Sequence, residues 1–324
     1  MPSPSSTFSF KRDNPLAGLL LFVLTVIVIE IGLSFLPRNA LLSILDQFHT
    51  PEKSPDWQIM GDSVAAGGIR HQKLAAMLSP QTTVVNAALS ASGPEFPYFI
   101  LQRELAAGVA PRAILYAPSP HTFGTKRVAL LVGGFATWPE IGEVAASGIE
   151  PLEVLYGIAC KLSYTLRQRG EIADFLKGHR PTAPAESSAE ADAAPAKEDK
   201  ERTLTRESVD SIPRTGFTTT AFNLHFLHQF LHEAAVHKIP VYWVSMPTLT
   251  IVNEVRAPFH FEDDYQRFLT ANQEHYGATL LLPHSTALPP KNFKDNLHLT
   301  PATSERFTET LGQMIQQIRP ADRR

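Results

Sequence analysis

Apolar and polar positions divide the chain into unlike parts. The first apolar block is continuous: residues 16–36 read LAGLLLFVLTVIVIEIGLSFL, with Glu30 the one formal charge. At 1.5 Å per residue it reaches across a ~30 Å hydrocarbon core, and it predicts an N-terminal transmembrane helix. Beyond residue 56 the pattern alternates. Short apolar runs at 57–60, 83–86, 113–117, 241–245 and 279–282 predict strands. Helical spacing predicts helices at 72–78, 96–107, 221–238, 263–276 and 302–318. In 96–107, Phe99, Ile100, Leu101 and Leu105 supply the stripe. Buried runs alternating with helices predict an α/β domain, a three-layer α/β/α sandwich around a parallel sheet. The sequence shows no internal repeat of useful period.

Residues 118–216 interrupt this alternation. Apolar helical material at 141–146, 152–167 and 172–177 predicts a helical insertion over 118–179. It is either a cap over a site or a face against a membrane or partner. Residues 180–202 are rich in Ala, Pro, Glu and Ser and lack large apolar side chains. Such a stretch buries too little surface to offset its ordering entropy, so it reads as a disordered linker. The organisation expected is a cytoplasmic tail (1–15), an anchor (16–37) and a connector with a helical piece (38–55). The α/β domain follows in two parts (56–117 and 217–324).

Composition narrows the function. The 324 residues carry 29 Lys and Arg against 32 Asp and Glu, a formal net charge of −3. That balance argues against nucleic acid as a partner, since nucleic-acid binders carry a basic footprint. The single cysteine, Cys160, excludes an intramolecular disulfide and a Cys-rich zinc site. Lys11 and Arg12 precede the apolar block and favour a cytoplasmic N-terminus. The domain is then expected in the periplasm, held to the inner membrane by one span. The alternative is a cleaved signal peptide and a secreted protein.

Two segments carry candidate chemistry. Gly61-Asp62-Ser63 ends the first predicted strand, where an α/β sheet gathers its active groups. Gly61 permits a tight turn with Ser63 at its tip, and the N–H groups there suit a developing oxyanion. Asp295 and His298 stand three apart before the last helix. His298 can take a serine proton while Asp295 fixes its tautomer. Either segment alone is an ordinary turn. Weaker candidates are Asn253, Arg256 and His260, which follow the fourth strand as substrate contacts or as plain loop residues. His225, His228 and His232 share a helix face, more as its polar side than as metal ligands. Trp57, Trp138 and Trp243 are core residues by default, or platforms for sugar rings.

Together the two segments resemble the SGNH (GDSL-type) hydrolases, a superfamily of esterases and O-acyltransferases; the resemblance spans about 56–117 and 221–318. It implies a five-stranded parallel sheet in flavodoxin-like order, Ser63 as nucleophile, and Asp295 and His298 as its partners. The family's second block, N-x-G-x-S-G, falls on Asn86-Ala87-Ala88-Leu89-Ser90, which puts Ala88 at the oxyanion glycine. Its third block, G-x-N-D, falls on Ala117-Pro118-Ser119-Pro120-His121, without the asparagine that donates there. Ser119 or His121 is then the substitute, or the site is slow or inactive. The layout is also loosely similar to membrane-anchored enzymes of exopolysaccharide acetylation, of the alginate O-acetyltransferase type. The resemblance implies no metal and no cofactor. It implies an acyl ester or carbohydrate substrate and a possible membrane acyl-donor partner. The alternatives are a lipid or small-ester hydrolase and a non-catalytic scaffold of a polysaccharide complex.

Overall fold

The computed structural model describes residues 15–34, 51–167, 169, 214–282 and 284–318. The expected tail up to residue 14, the helical piece at 40–48, the helix at 172–177 and the linker at 180–202 lie outside these residues.

Five strands form one parallel sheet: β1 (Trp57–Gly61), β2 (Val84–Asn86), β3 (Ile114–Ala117), β4 (Val241–Val244) and β6 (Thr279–Leu282), in the order β2-β1-β3-β4-β6. A two-stranded parallel ribbon joins β5 (Thr248–Leu249) to β7 (Ala287–Leu288), and the sequence pattern did not announce it. The central strands β1 and β3 are buried along their whole length. Alternate residues therefore serve opposite faces. Ile114 and Tyr116 join Phe99, Phe226, Phe230 and Trp243 on one face. Leu115 and Ala117 join Ile59, Leu74, Phe307 and Leu311 on the other. Helices Glu95–Ala107, Ala221–Val236 and Phe261–Tyr276 cover the first face. Helices Ser63–Gly68, His71–Leu78 and Pro301–Ile318 cover the second. This is the expected α/β/α sandwich with the expected strand order.

The insertion is part of the core. Its helices Trp138–Ala146 and Pro151–Leu162 bury Ile141, Val144 and Val154 in the first cluster, together with Val128, Leu131 and Phe135. Trp138, Leu152, Leu155 and Leu162 stay exposed.

Pro15–Ser34 is one helix of 20 residues. Its side chains are described only in part, and among the described residues no helix is long and apolar enough to cross a membrane. The structure thus does not show the expected transmembrane helix. It does show what Glu30 does: the carboxylate accepts from Ser163 Oγ at 2.7 Å and from the Thr165 N–H at 3.1 Å. The charge inside the apolar segment fastens that helix to the turn Tyr164–Arg167.

Candidate active site

Strand β1 ends in a turn that only glycine fits. Gly61 has φ +153°, and a Cβ there would stand 2.5 Å from the Ala117 carbonyl oxygen. Asp62 caps the next helix, its Oδ1 accepting from the Val64 N–H at 2.9 Å. Its Oδ2 accepts from the Ser119 N–H at 3.1 Å, which ties down the loop after β3. Asp62 is 3% exposed. Gly61 and Asp62 both shape the turn that presents Ser63, and Asp62 also lines the cavity beside it.

The histidine arrives from the far end of the chain. Residues 292–300 double back on themselves: Lys294 N–H donates to the His298 carbonyl at 2.7 Å and Thr300 N–H to the Asn292 carbonyl at 2.9 Å. Phe293 pairs with Leu299 across this loop. Helix Pro301–Ile318 then docks on the serine's own helix, with Ser304 Oγ donating to the Gly67 carbonyl at 3.1 Å. The Arg70 N–H donates to Thr308 Oγ1 at 2.9 Å. One helix therefore holds both halves of the site.

The result is a chain of three groups. Ser63 Oγ lies 3.0 Å from His298 Nε2. His298 Nδ1 lies 2.8 Å from Asp295 Oδ2. Asp295 Oδ1 also accepts from the Leu297 N–H at 2.8 Å and the His298 N–H at 2.9 Å. The bond from Asp295, against burial, raises the His298 pKa above its ordinary value. Burial alone would raise the Asp295 carboxyl; its bonds to the His298 ring and to two backbone N–H groups outweigh that and hold it well below the usual range.

The second block differs from expectation. The Ala88 N–H donates to Asn86 Oδ1 at 3.1 Å, and Asn86 Nδ2 donates to the Ala66 carbonyl at 3.1 Å. The Ala88 N–H is thus committed within the scaffold, and neither residue lines the cavity beside Ser63. Three residues on, Ala91 takes φ +58°, the left-handed region that favours glycine. Ala91 lines a cavity of about 30 Å³ with Ser63, Asp62, Ser92 and His121. Its loop hangs from the end of β1, since the Gly61 carbonyl accepts from Ser92 Oγ at 2.8 Å and the Leu89 N–H at 3.0 Å. Ala91, which the sequence did not single out, thus stands beside Ser63 in a backbone conformation that favours glycine.

After β3, Ser119 is buried and bound to Asp62 through its backbone. His121 lines the Ser63 cavity instead. Burial lowers its pKa, and Arg256, Arg127 and His298 push the same way against Asp62, so the ring is held neutral. Arg127, which the sequence did not single out, also lines the cavity.

The weaker candidates separate. Asn253 Oδ1 accepts from Thr248 Oγ1 at 2.8 Å and braces the ribbon. His260 is exposed, at φ +53°, beside Asp263. Arg256 is buried close to the site. His225 and His228 pack on Phe226 and Tyr276, and no metal-binding cluster exists among the described residues. Trp57 and Trp243 lie in the core, and Trp138 lies on the insertion's surface.

Fold and site together define an α/β protein with a serine–histidine–aspartate chain at the carboxyl edge of a parallel sheet. No family model and no curated protein matches the chain. Among solved structures it is similar to a GDSL-like lipase from Bacteroides thetaiotaomicron, at 9% identity and TM-score 0.35, covering 85% of this chain and 93% of that one. A likeness that low carries no argument, and the functional reading rests on the site.

Proposed function

We propose that the chain is a serine esterase or O-acyltransferase of SGNH type that works through an acyl-Ser63 intermediate. The observation that carries this is the 3.0 Å approach of Ser63 Oγ to His298 Nε2, with Nδ1 held by Asp295 at 2.8 Å. His298 takes the Ser63 proton as Oγ attacks the acyl carbon, and Asp295 stabilises the imidazolium. The oxyanion is received by the Ser63 and Ala91 N–H groups, with the neutral His121 ring in the place of the absent asparagine. His298 returns the proton to the leaving alcohol. Water or an acceptor hydroxyl then gives its proton to His298 as it attacks the acyl carbon, and His298 passes that proton to Ser63 Oγ as the acyl group leaves.

The 30 Å³ cavity beside Ser63, rich in polar residues, favours a short acyl group such as acetyl over a fatty chain. This supports an acetyl ester of cell-envelope or exopolysaccharide carbohydrate over a lipid. We read Pro15–Ser34 as a membrane anchor that leaves the domain in the periplasm. Its composition and the exposure of Leu20, Leu21, Val28 and Ile31 support this. A membrane protein supplying the acyl group belongs to the same reading.

A fluorophosphonate probe tests the chemistry. Labelling that disappears in Ser63→Ala is expected; labelling unchanged in that variant, or none in the wild type, overturns the assignment. For the anchor, alkaline carbonate should leave the chain in the membrane pellet, and its release would overturn that part alone.

A further inference from the structure

A second cavity, of about 340 Å³, adjoins the triad. It meets the Ser63 cavity at His121 and Thr125, which line both. It reaches the triad loop at Asn296 and Leu297, the two residues between Asp295 and His298. Its volume suits a group the size of one sugar ring.

Arg256 lies in its wall, at the end of helix Thr250–Arg256. The side chain is 6% exposed, its guanidinium stacks 4.2 Å over the Phe261 ring, and its Nε is buried without an acceptor. Among the described residues it has no ion-pair partner; Glu262 acts on it from further away. A buried cation with an unpartnered Nε, whose nearest counter-charge lies beyond ion-pair distance, is a costly arrangement that a scaffold does not need. No acidic residue lines the larger cavity. In the smaller one the only acid is Asp62, whose oxygens are taken by Val64 and Ser119. Exposed Arg127 stands on that side. The cleft is therefore positive around His121, with a guanidinium fork open at its inner wall.

We propose that this cavity is an anion subsite: the substrate bears a carboxylate or phosphate beside its ester, and Arg256 receives it. The proposal rests on the reading of Ser63 as the acyl-accepting nucleophile. The anion adds no chemical step. It fixes the ring whose neighbouring hydroxyl carries the acyl group, so that the ester carbonyl faces Ser63. Arg suits the task because its planar fork meets two anionic oxygens at once.

The test uses the full chain in detergent and two independent readouts. The first is kcat/KM on matched O-acetylated methyl glycosides: glucoside, glucuronide and glucose 6-phosphate. One charged ester should exceed the neutral one by about 10- to 100-fold, the range of a charge-assisted bond. In Arg256→Gln the ratio should fall to within about threefold of unity, and Arg256→Lys, which keeps charge but not the fork, should lie between. The second readout is binding of unreactive methyl glucuronide, and separately inorganic phosphate, to the Ser63→Ala chain by ligand-observed NMR. One anion should bind, and Arg256→Gln should weaken it at least about tenfold. Whichever anion is preferred identifies the group. Equal turnover of charged and neutral esters, with neither anion bound, overturns the subsite and leaves the nucleophile standing. Arginine-dependent binding without turnover of any ester does the reverse. Should Arg256→Gln not fold, the lysine variant decides: an unchanged ratio and unchanged binding overturn the proposal.

Discussion

Replacing Asp295 with Asn changes one atom and tests the proposed order of the triad. Asp295 Oδ1 already accepts two backbone N–H groups, at 2.8 and 2.9 Å. The amide oxygen must take that place, because an NH2 group there would face two donors. The amide nitrogen then stands where Oδ2 now receives His298 Nδ1 at 2.8 Å. It donates, so Nδ1 must accept and the ring proton moves to Nε2, facing Ser63 Oγ. The imidazole can no longer accept the serine proton. Restoring the reactive tautomer against the amide costs about 1–3 kcal/mol, the price of an unmade hydrogen bond. Losing the charge opposite the imidazolium adds about 1–2 kcal/mol, at the low end because the Asp295 side chain is 48% exposed. Together these slow the reaction about 30- to 5,000-fold. The pH profile should move as well. Asp295 raises the His298 pKa, and a general base works only when neutral. The rising limb of activity should therefore shift to lower pH in the Asn variant, even as its plateau falls. Initial rates of fluorophosphonate labelling across about pH 5–9 measure both effects. A variant within about threefold of wild type with an unmoved midpoint would refute the role given to Asp295.

Three further outcomes are expected. Gly61→Ala forces a Cβ against the Ala117 carbonyl at a φ that disfavours side chains, and should cost about 3 kcal/mol in urea unfolding; a loss below about 1 would contradict the packing. Ala91→Gly relieves a left-handed alanine and should gain up to about 1 kcal/mol while keeping Ser63 labelling; destabilisation would show that the loop is not strained there. Burial raises the pKa values of Glu95 and Glu104 from 4.5 to about 7, so each binds its proton more tightly folded than unfolded. Their contribution is full below about pH 4.5 and is lost as pH rises through about 7, roughly 3 kcal/mol per group. The double variant Glu95→Gln, Glu104→Gln should flatten that slope in denaturant titrations at several pH values, and a slope that survives would mean that other groups set it.

The sheet was legible because its strands are short apolar runs with turns between them, and AILYA became β3 with a boundary shift of one residue. The ribbon was not, because Thr248–Leu249 and Ala287–Leu288 are too short to show a period. The insertion looked separable because its helices interrupt the alternation in sequence. In space Val128, Leu131 and Val144 complete the core around Phe99 and Phe226. At the site, the three-residue spacing of Asp295 and His298 suits a bonded pair, but its link to Ser63 came only from the resemblance. Ala91 was not legible, because positive φ has no signature in an alanine. Arg256 was only one polar loop residue among three until its burial set it apart from Asn253 and His260.

Under the proposed SGNH-type reading, the bonds around β1 change the weight of the departures from that pattern. The Gly61 carbonyl holds the loop through Leu89 and Ser92, and the Asp62 carboxylate holds the loop after β3 through Ser119. Both loops are positioned from two consecutive residues, through the Gly61 carbonyl and the Asp62 carboxylate. Ala91 has only to tolerate φ +58°, a modest cost for so small a side chain. On that reading the missing asparagine matters more, because no backbone bond replaces a side-chain donor. On the loop after β3, His121 lines the Ser63 cavity, and burial and two arginines lower its pKa, leaving a neutral ring with one N–H to give. Positive surroundings that recruit an anion would thus also hold the oxyanion donor in its working form.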